Sequence, residues 1–266
     1  MDNKVDKILE HLRDETTNYD VALAEIHKIL EEAQNSRNEQ KANEIWAVAT
    51  LVRIHKKFVD VFNLLLNKKY YEAWCKAEEV EIQCNILKRN SPKAYSVTKD
   101  LHECILSLQA LYPYQLFCSY EMNIKKVRCS VCDQIRSIRN SCGHRVGHVY
   151  NGRLCSDIVE QCELLGVSIV NKPVNKYSVP FTKDKDGGTV DDYDYLLVKG
   201  LMNFWKKPFQ HWTYEIKHTH KPLSAFPGLT DNDFCPCSSG KTYGECCKSD
   251  PQGIKHKIYQ FSVEKL

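Results

Sequence analysis

No run of about eighteen apolar residues occurs anywhere in the 266-residue chain, so no membrane-spanning helix is expected. The first segment, Met1-Asp2-Asn3-Lys4-Val5-Asp6, lacks the apolar stretch of a secretory signal, which points to a cytoplasmic protein. Charge of one sign is also missing. Thirty-seven Lys+Arg against 34 Asp+Glu leave +3, too little to imply a polyanionic partner from the total. There is no Walker-type lysine loop, no G-x-S-x-G elbow and no H-E-x-x-H helix, and Gly187-Gly188 is too isolated to cradle a phosphate. Each absence removes the motif support for a familiar enzyme class.

What the chain has is cysteine. Thirteen is an odd number, and without an export signal a disulfide framework explains it poorly. Cys75, Cys84, Cys104 and Cys118 are scattered through helical pattern, where a free cysteine behaves as a small buried hydrophobe. Cys129, Cys132, Cys142 and Cys155 instead fall together beside His144 and His148, and Cys235, Cys237, Cys246 and Cys247 form a tighter group near the end. Clustered thiols point to metal.

The pattern along the chain predicts an α+β multidomain protein. Residues 1–121 read as an all-helical domain: Ile26, Ile29, Leu30 and Ala33 recur at helical steps, as do Ile45, Val48, Val52, Val59, Phe62 and Leu66. Breaks are expected at Asn18-Tyr19-Asp20, Ser36-Arg37-Asn38, Asn67-Lys68-Lys69 and Asn90-Ser91-Pro92, and a last helix over about 97–112. Residues 122–230 read as a small Cys-rich α+β domain with strands over Leu165–Val170, Tyr177–Phe181 and His211–Ile216, and a helical stretch beginning near Cys155. Leu223 to Asn232, with Pro227 and Gly228, reads as a linker; residues 231–252 form a short metal-binding motif and 253–266 a C-terminal extension.

In that motif, Cys235-Pro236-Cys237, eight residues, then Cys246-Cys247 supply four sulfur ligands, a set that fills a tetrahedral zinc and leaves no open position. So short a segment has almost no apolar core, so metal must supply its folding energy. Cys235-Pro236-Cys237, Ser239-Gly240-Lys241, Tyr243 and Cys246-Cys247 resemble the SEC-C motif, the small metal-binding tail of the SecA preprotein translocase found on many bacterial proteins. Ser238 stands where glycine is usual, and Gly244-Glu245 where a basic pair is common. The resemblance implies zinc binding and docking to a ribosome or a chaperone such as SecB, with Lys241, Tyr243 and Lys248 facing that partner.

Cys129-x2-Cys132 has knuckle spacing, and Cys142-Gly143-His144 follows after nine residues. His144, His148 and Cys155 compete for the fourth position; His144 is preferred because Cys142-x-His144 can close a tight knuckle around Gly143. Two zinc ions per chain are therefore expected. From Asn123 to Arg153 seven Lys and Arg stand against Asp133 alone, a local +6. Arg136 and Arg139 are accordingly read either as contacts to RNA phosphate or as neighbours that neutralise the zinc thiolates. His218-Thr219-His220 and His211 have no matching carboxylate pair and are read as surface or packing groups. The function expected is a non-enzymatic, zinc-stapled adaptor that docks on a ribosome, chaperone or RNA. The other class to weigh is an RNA-acting effector enzyme controlled by the helical domain.

Overall fold

The computed structural model describes residues 7, 9–14 and 16–264. It divides into two compact units, one holding the chain up to Met202 with Lys207–Phe209, the other Asn203–Lys206 with Gln210 onward. The mixture of helices and small antiparallel sheets is that of an α+β protein. Among the described residues no helix is long and apolar enough to cross a membrane.

The first unit begins with three long helices, α1 (Tyr19–Asn35), α2 (Glu39–Leu66) and α3 (Tyr70–Asn90). Their ends follow local chemistry. The Asn18 side chain accepts from the backbone N–H of Val21, and Asn38 from that of Lys41, satisfying amides that helix starts leave open. Lys68 takes a positive φ in the tight turn between α2 and α3. Pro92 ends α3 and opens the short α4 (Pro92–Tyr95), where its missing N–H costs nothing. α5 (Lys99–Gln109) completes the set, a little shorter at each end than the periodicity predicts. α2 is the central element: Ile45, Val48, Val52, Ile54, Phe58 and Val61 are all buried, which explains an apolar content spread around the helix instead of along one stripe. Its buried His55 donates through Nδ1 to the Leu51 carbonyl 2.9 Å away and packs against Phe209. Burial pushes its pKa down to about 4, with the Leu51 bond working weakly the other way.

Strand structure starts earlier than expected. β1 (Phe117–Cys129) and β5 (Asp157–Val170) pair antiparallel from Phe117↔Val170 to Cys129↔Asp157, and β2 (Ile135–Arg136) joins the other edge of β1 at Val127 and Arg128. Residues 117–121 therefore belong to the sheet, not the helices. The helical stretch expected near Cys155 is absent too. Ile158, Val159, Val167, Ile169 and Val170 make this segment β-branched, and twelve residues of β1 pair with it. The tiny hairpin β3 (Val149–Tyr150) and β4 (Arg153–Leu154) turns at Asn151-Gly152, both at positive φ, as a two-residue hairpin turn demands.

No strand forms over Tyr177–Phe181. Its backbone is held instead by helix side chains: Tyr71 Oη donates to the Tyr177 carbonyl at 2.7 Å and Trp74 Nε1 to that of Lys176 at 2.6 Å. Lys176 meanwhile reaches Glu81, the Gln109 side-chain oxygen Oε1 at 2.9 Å and the buried Glu78 at 3.5 Å. The remaining elements of this unit are the hairpin β6 (Thr182–Lys183) and β7 (Thr189–Val190) and the helix α6 (Leu196–Met202).

The second unit is a two-stranded ribbon, β8 (Trp212–Lys221) paired with β9 (Ile254–Val263) in unbroken register from Trp212↔Val263 to Lys221↔Ile254. The strand predicted over His211–Ile216 is present and longer, and the segment read as an extension supplies its partner. Residues 222–253 form the connection at the ribbon's end.

Candidate metal centres

At the first centre, β1 delivers Cys129 and a tight turn follows. Asp133, at positive φ, donates its N–H to the Cys129 carbonyl, and Cys129 donates to the Gln134 carbonyl, so the chain reverses into β2. Cys132 lies in this turn, and Gly143, at φ +80°, lets Cys142 and His144 approach from the other side. The ligand atoms of Cys129, Cys132, Cys142 and His144 all lie within 4.8 Å of one another. Cys129 Sγ is 3.8 Å from His144 Nδ1. Ligands 2.3 Å from a tetrahedral zinc would stand about 3.8 Å apart, so the donors fit such an ion.

Cys155 is fully buried beside this set, its sulfur 3.9 Å from that of Cys129. Both sulfurs share one donor. Arg136 Nη2 lies 3.3 Å from Cys129 Sγ, 3.1 Å from Cys155 Sγ and 2.8 Å from the His144 carbonyl, while Nη1 pairs with Asp157 at 2.6 Å. Burial alone would raise the Cys129 thiol. The N–H groups of Val131 and Cys132, then Arg136 and Cys142, outweigh it and bring it to about 5, the thiolate form a metal requires. Arg136 is held in turn above its usual range, first by Cys129. The Arg136 side chain is 17 % exposed, with its guanidinium against both thiols.

The basic stretch is also less basic in space than in sequence. Lys125 pairs with Glu163 at 2.6 Å, Lys126 and Arg128 with Glu160 at 2.8 and 2.9 Å, all across the β1–β5 ladder. Counting Glu160, Glu163 and Asp157 halves the local +6 to +3. Arg139, by contrast, is exposed.

Four polar helix side chains, through five hydrogen bonds, and one apolar contact seat the chain beside this centre on the helices. Gln34 Nε2 donates to the Asn151 carbonyl at 2.8 Å, Glu39 accepts from Asn151 N–H at 3.2 Å, and Asn43 accepts from Gly152 N–H at 2.7 Å. Asn90 donates to the Gly147 carbonyl at 2.9 Å and accepts from Val149 N–H at 3.0 Å. A Cβ on Gly152 would sit 2.5 Å from Leu30 Cδ1. These partners escape sequence reasoning because they lie 57 to 117 residues away in the chain. The Asn151-Gly152 dipeptide was the one local signal that could have revealed the docked turn.

At the second centre the connection from β8 to β9 folds on itself. Phe234 and Thr242 bridge antiparallel, Cys235 N–H donates to the Lys241 carbonyl at 2.8 Å, and Ser238 and Gly240 take positive φ in the turn between them. A positive φ suits glycine better than the serine that stands at 238. Tyr243 N–H donates to the Asp233 carbonyl at 2.8 Å and Lys248 N–H to that of Tyr243 at 3.2 Å, which brings Cys246 and Cys247 back to the first pair. The four sulfurs cluster within 4.8 Å, with Cys237–Cys246 at 3.5 Å and Cys246–Cys247 at 3.8 Å, again close to the spacing around a tetrahedral zinc.

Burial raises Cys237, but Ser239, then Cys235 and Cys246, bring it down to about 6; burial and the neighbouring sulfurs push Cys247 up to about 12. Four sulfurs packed together this way do not all ionise without a cation among them. Both clusters could thus hold a metal ion.

Around this centre the side-chain expectations divide. Lys241 is exposed, and Lys248 is exposed but pairs with Asp231. Tyr243 does not face outward. It is 8 % exposed and packs with Cys235, Cys247 and Ile254, joined by Phe226 and Leu229 from the stretch read as a linker, which contains a 3-10 turn at Leu223–Ala225. Phe234, next to Cys235, is 81 % exposed. His218 and His220 lie on β8, with His220 Nε2 3.5 Å from Asp250, and His211 is exposed just before the strand. No family model, no curated protein and no solved structure matches the chain.

Proposed function

We propose that the protein is an adaptor stapled by two structural zinc ions, which docks on a protein or ribonucleoprotein partner through the knuckle at the end of the β8–β9 ribbon. Zinc is favoured over other ions because the donor sets are three thiolates with one imidazole and four thiolates, at tetrahedral spacing. Such closed sets keep no position for a substrate, which supports a scaffolding role for the metal.

The observation that carries docking is the display of Phe234. An aromatic ring 81 % exposed on a metal-locked turn beside the exposed Lys241 is a rigid anchor of the kind that dominates interfaces. The likeness of this segment to the SEC-C motif extends the proposal to a ribosome or a chaperone as partner. RNA phosphate as the main contact is less well supported, since cross-strand carboxylates neutralise half of the local basic charge. Co-sedimentation of the full chain with purified ribosomes, and capture by a purified SecB-type chaperone, test the proposal. Phe234→Ala with Lys241→Glu should abolish association while both metal ions stay bound. Association unaffected by that pair of changes, or no association with either partner, overturns it.

A further inference from the structure

Away from the short β2 pairing at Val127 and Arg128, β1 and β5 run on as a long two-stranded ribbon. In an antiparallel pair, residues directly opposite share a face. Tyr120↔Val167 and Met122↔Leu164, continued by Ile124 and Ile169, therefore line one face, and the β5 bulge at Leu165 preserves that alignment. All six side chains are between 49 % and 59 % exposed. The opposite face carries Ser119↔Ser168, Glu121↔Gly166 and Asn123↔Glu163. The ribbon is thus amphipathic, yet its apolar side meets water.

We propose that this face is the interface of a homodimer, two ribbons stacking face to face about a twofold axis. Three observations favour a second copy over another occupant. An isolated two-stranded ribbon is marginal in water, and a covering layer of the same construction turns it into a four-stranded sandwich. The six side chains offer on the order of 700 Å² per copy, close to the roughly 800 Å² per partner of a stable interface. The stripe carries no charge, and the ion pairs Lys125–Glu163 and Lys126–Glu160 neutralise the strands beside it. No field is left to select an acidic, basic or lipid-headgroup partner, and a stripe repeated on an inverted copy is complementary to itself.

Sedimentation velocity of the metal-loaded full chain, from sub-micromolar to high-micromolar concentration, reads the answer. The parent should show twice the chain mass, dissociating reversibly on dilution. Met122→Lys with Val167→Lys should weaken association at least about a hundredfold, with metal content and circular dichroism unchanged. Ser119→Lys with Ser168→Lys, on the opposite face, should leave it intact. Should the apolar-face lysines abolish folding, Val167→Thr with Ile169→Thr replaces them with the same expectation of weakened association. A parent that is monomeric at every concentration overturns the proposal, whether or not it binds vesicles or other proteins. So does a dimer that survives the apolar-face changes or is lost equally with the polar-face pair.

Discussion

The Cys129 and Cys235 centres gather similar donors but rest on different supports. Cys129, Cys132, Cys142 and His144 lie next to the β3–β4 hairpin, which is seated against α1, α2 and α3 by Gln34, Glu39, Asn43 and Asn90, with Leu30 under Gly152. The four cysteines of the knuckle share a core of little more than Tyr243, Ile254, Phe226 and Leu229. The first centre decorates a fold that has other reasons to exist; the second replaces a core that is missing. A metal ion should therefore act on ligand geometry at one centre and on the folding of a whole segment at the other.

The largest effect that could break this contrast is loss of the knuckle's ligands. Cys235→Ser with Cys237→Ser should lower zinc from two ions to one by elemental analysis, and hydrogen exchange should lose protection throughout 226–254. A structural site of this kind supplies about 10–16 kcal/mol. Retained protection in the variant would mean that the small core suffices. At the first centre, Gly152→Val should cost about 3 kcal/mol in denaturant unfolding, from overpacking against Leu30 and the positive φ, with the knuckle's metal retained.

The helical support itself can be probed by pH. His55 is neutral in the fold, and the unfolded chain takes up its proton as pH falls below about 6.5. Stability is therefore highest above pH 6.5 and falls progressively towards pH 4, by about 3 kcal/mol. Measured with chelator present, so that metal release adds nothing, the slope should flatten in His55→Gln. Smallest of the four, Arg136→Met should weaken metal binding at the first centre by about 10–100-fold. Competition with a chromogenic chelator would resolve it, and the knuckle's affinity should stay unchanged.

The sequence makes the helices and both ligand sets legible because their signals are local: three- and four-residue periodicity, capping asparagines, and cysteines within thirteen or sixteen positions. What is hidden is non-local. Arg136 reads equally as a phosphate contact or a thiolate neighbour until Cys155, nineteen residues on, shares its guanidinium. The Tyr177–Phe181 segment has strand composition, but Tyr71 and Trp74 satisfy its backbone from a helix more than a hundred residues earlier. Tyr243 reads as polar-tipped and outward, yet with so little apolar material in its unit the ring is needed inside. Likewise β9 has no sequence mark that names β8 as its partner across the intervening knuckle.

That last arrangement has a kinetic consequence. The strands β8 and β9 are joined by a 32-residue connection, a long loop to close before the first cross-strand bond can form. Metal capture by four cysteines within thirteen positions is a short-range event that can precede it. Once the knuckle has formed, Gly253, at φ +101°, abuts the Lys221 backbone and brings the strand ends together. The ribbon then zips outward from Lys221↔Ile254 towards Trp212↔Val263. The ion would therefore nucleate the ribbon as well as hold the knuckle, and ribbon formation should follow the arrival of metal in time.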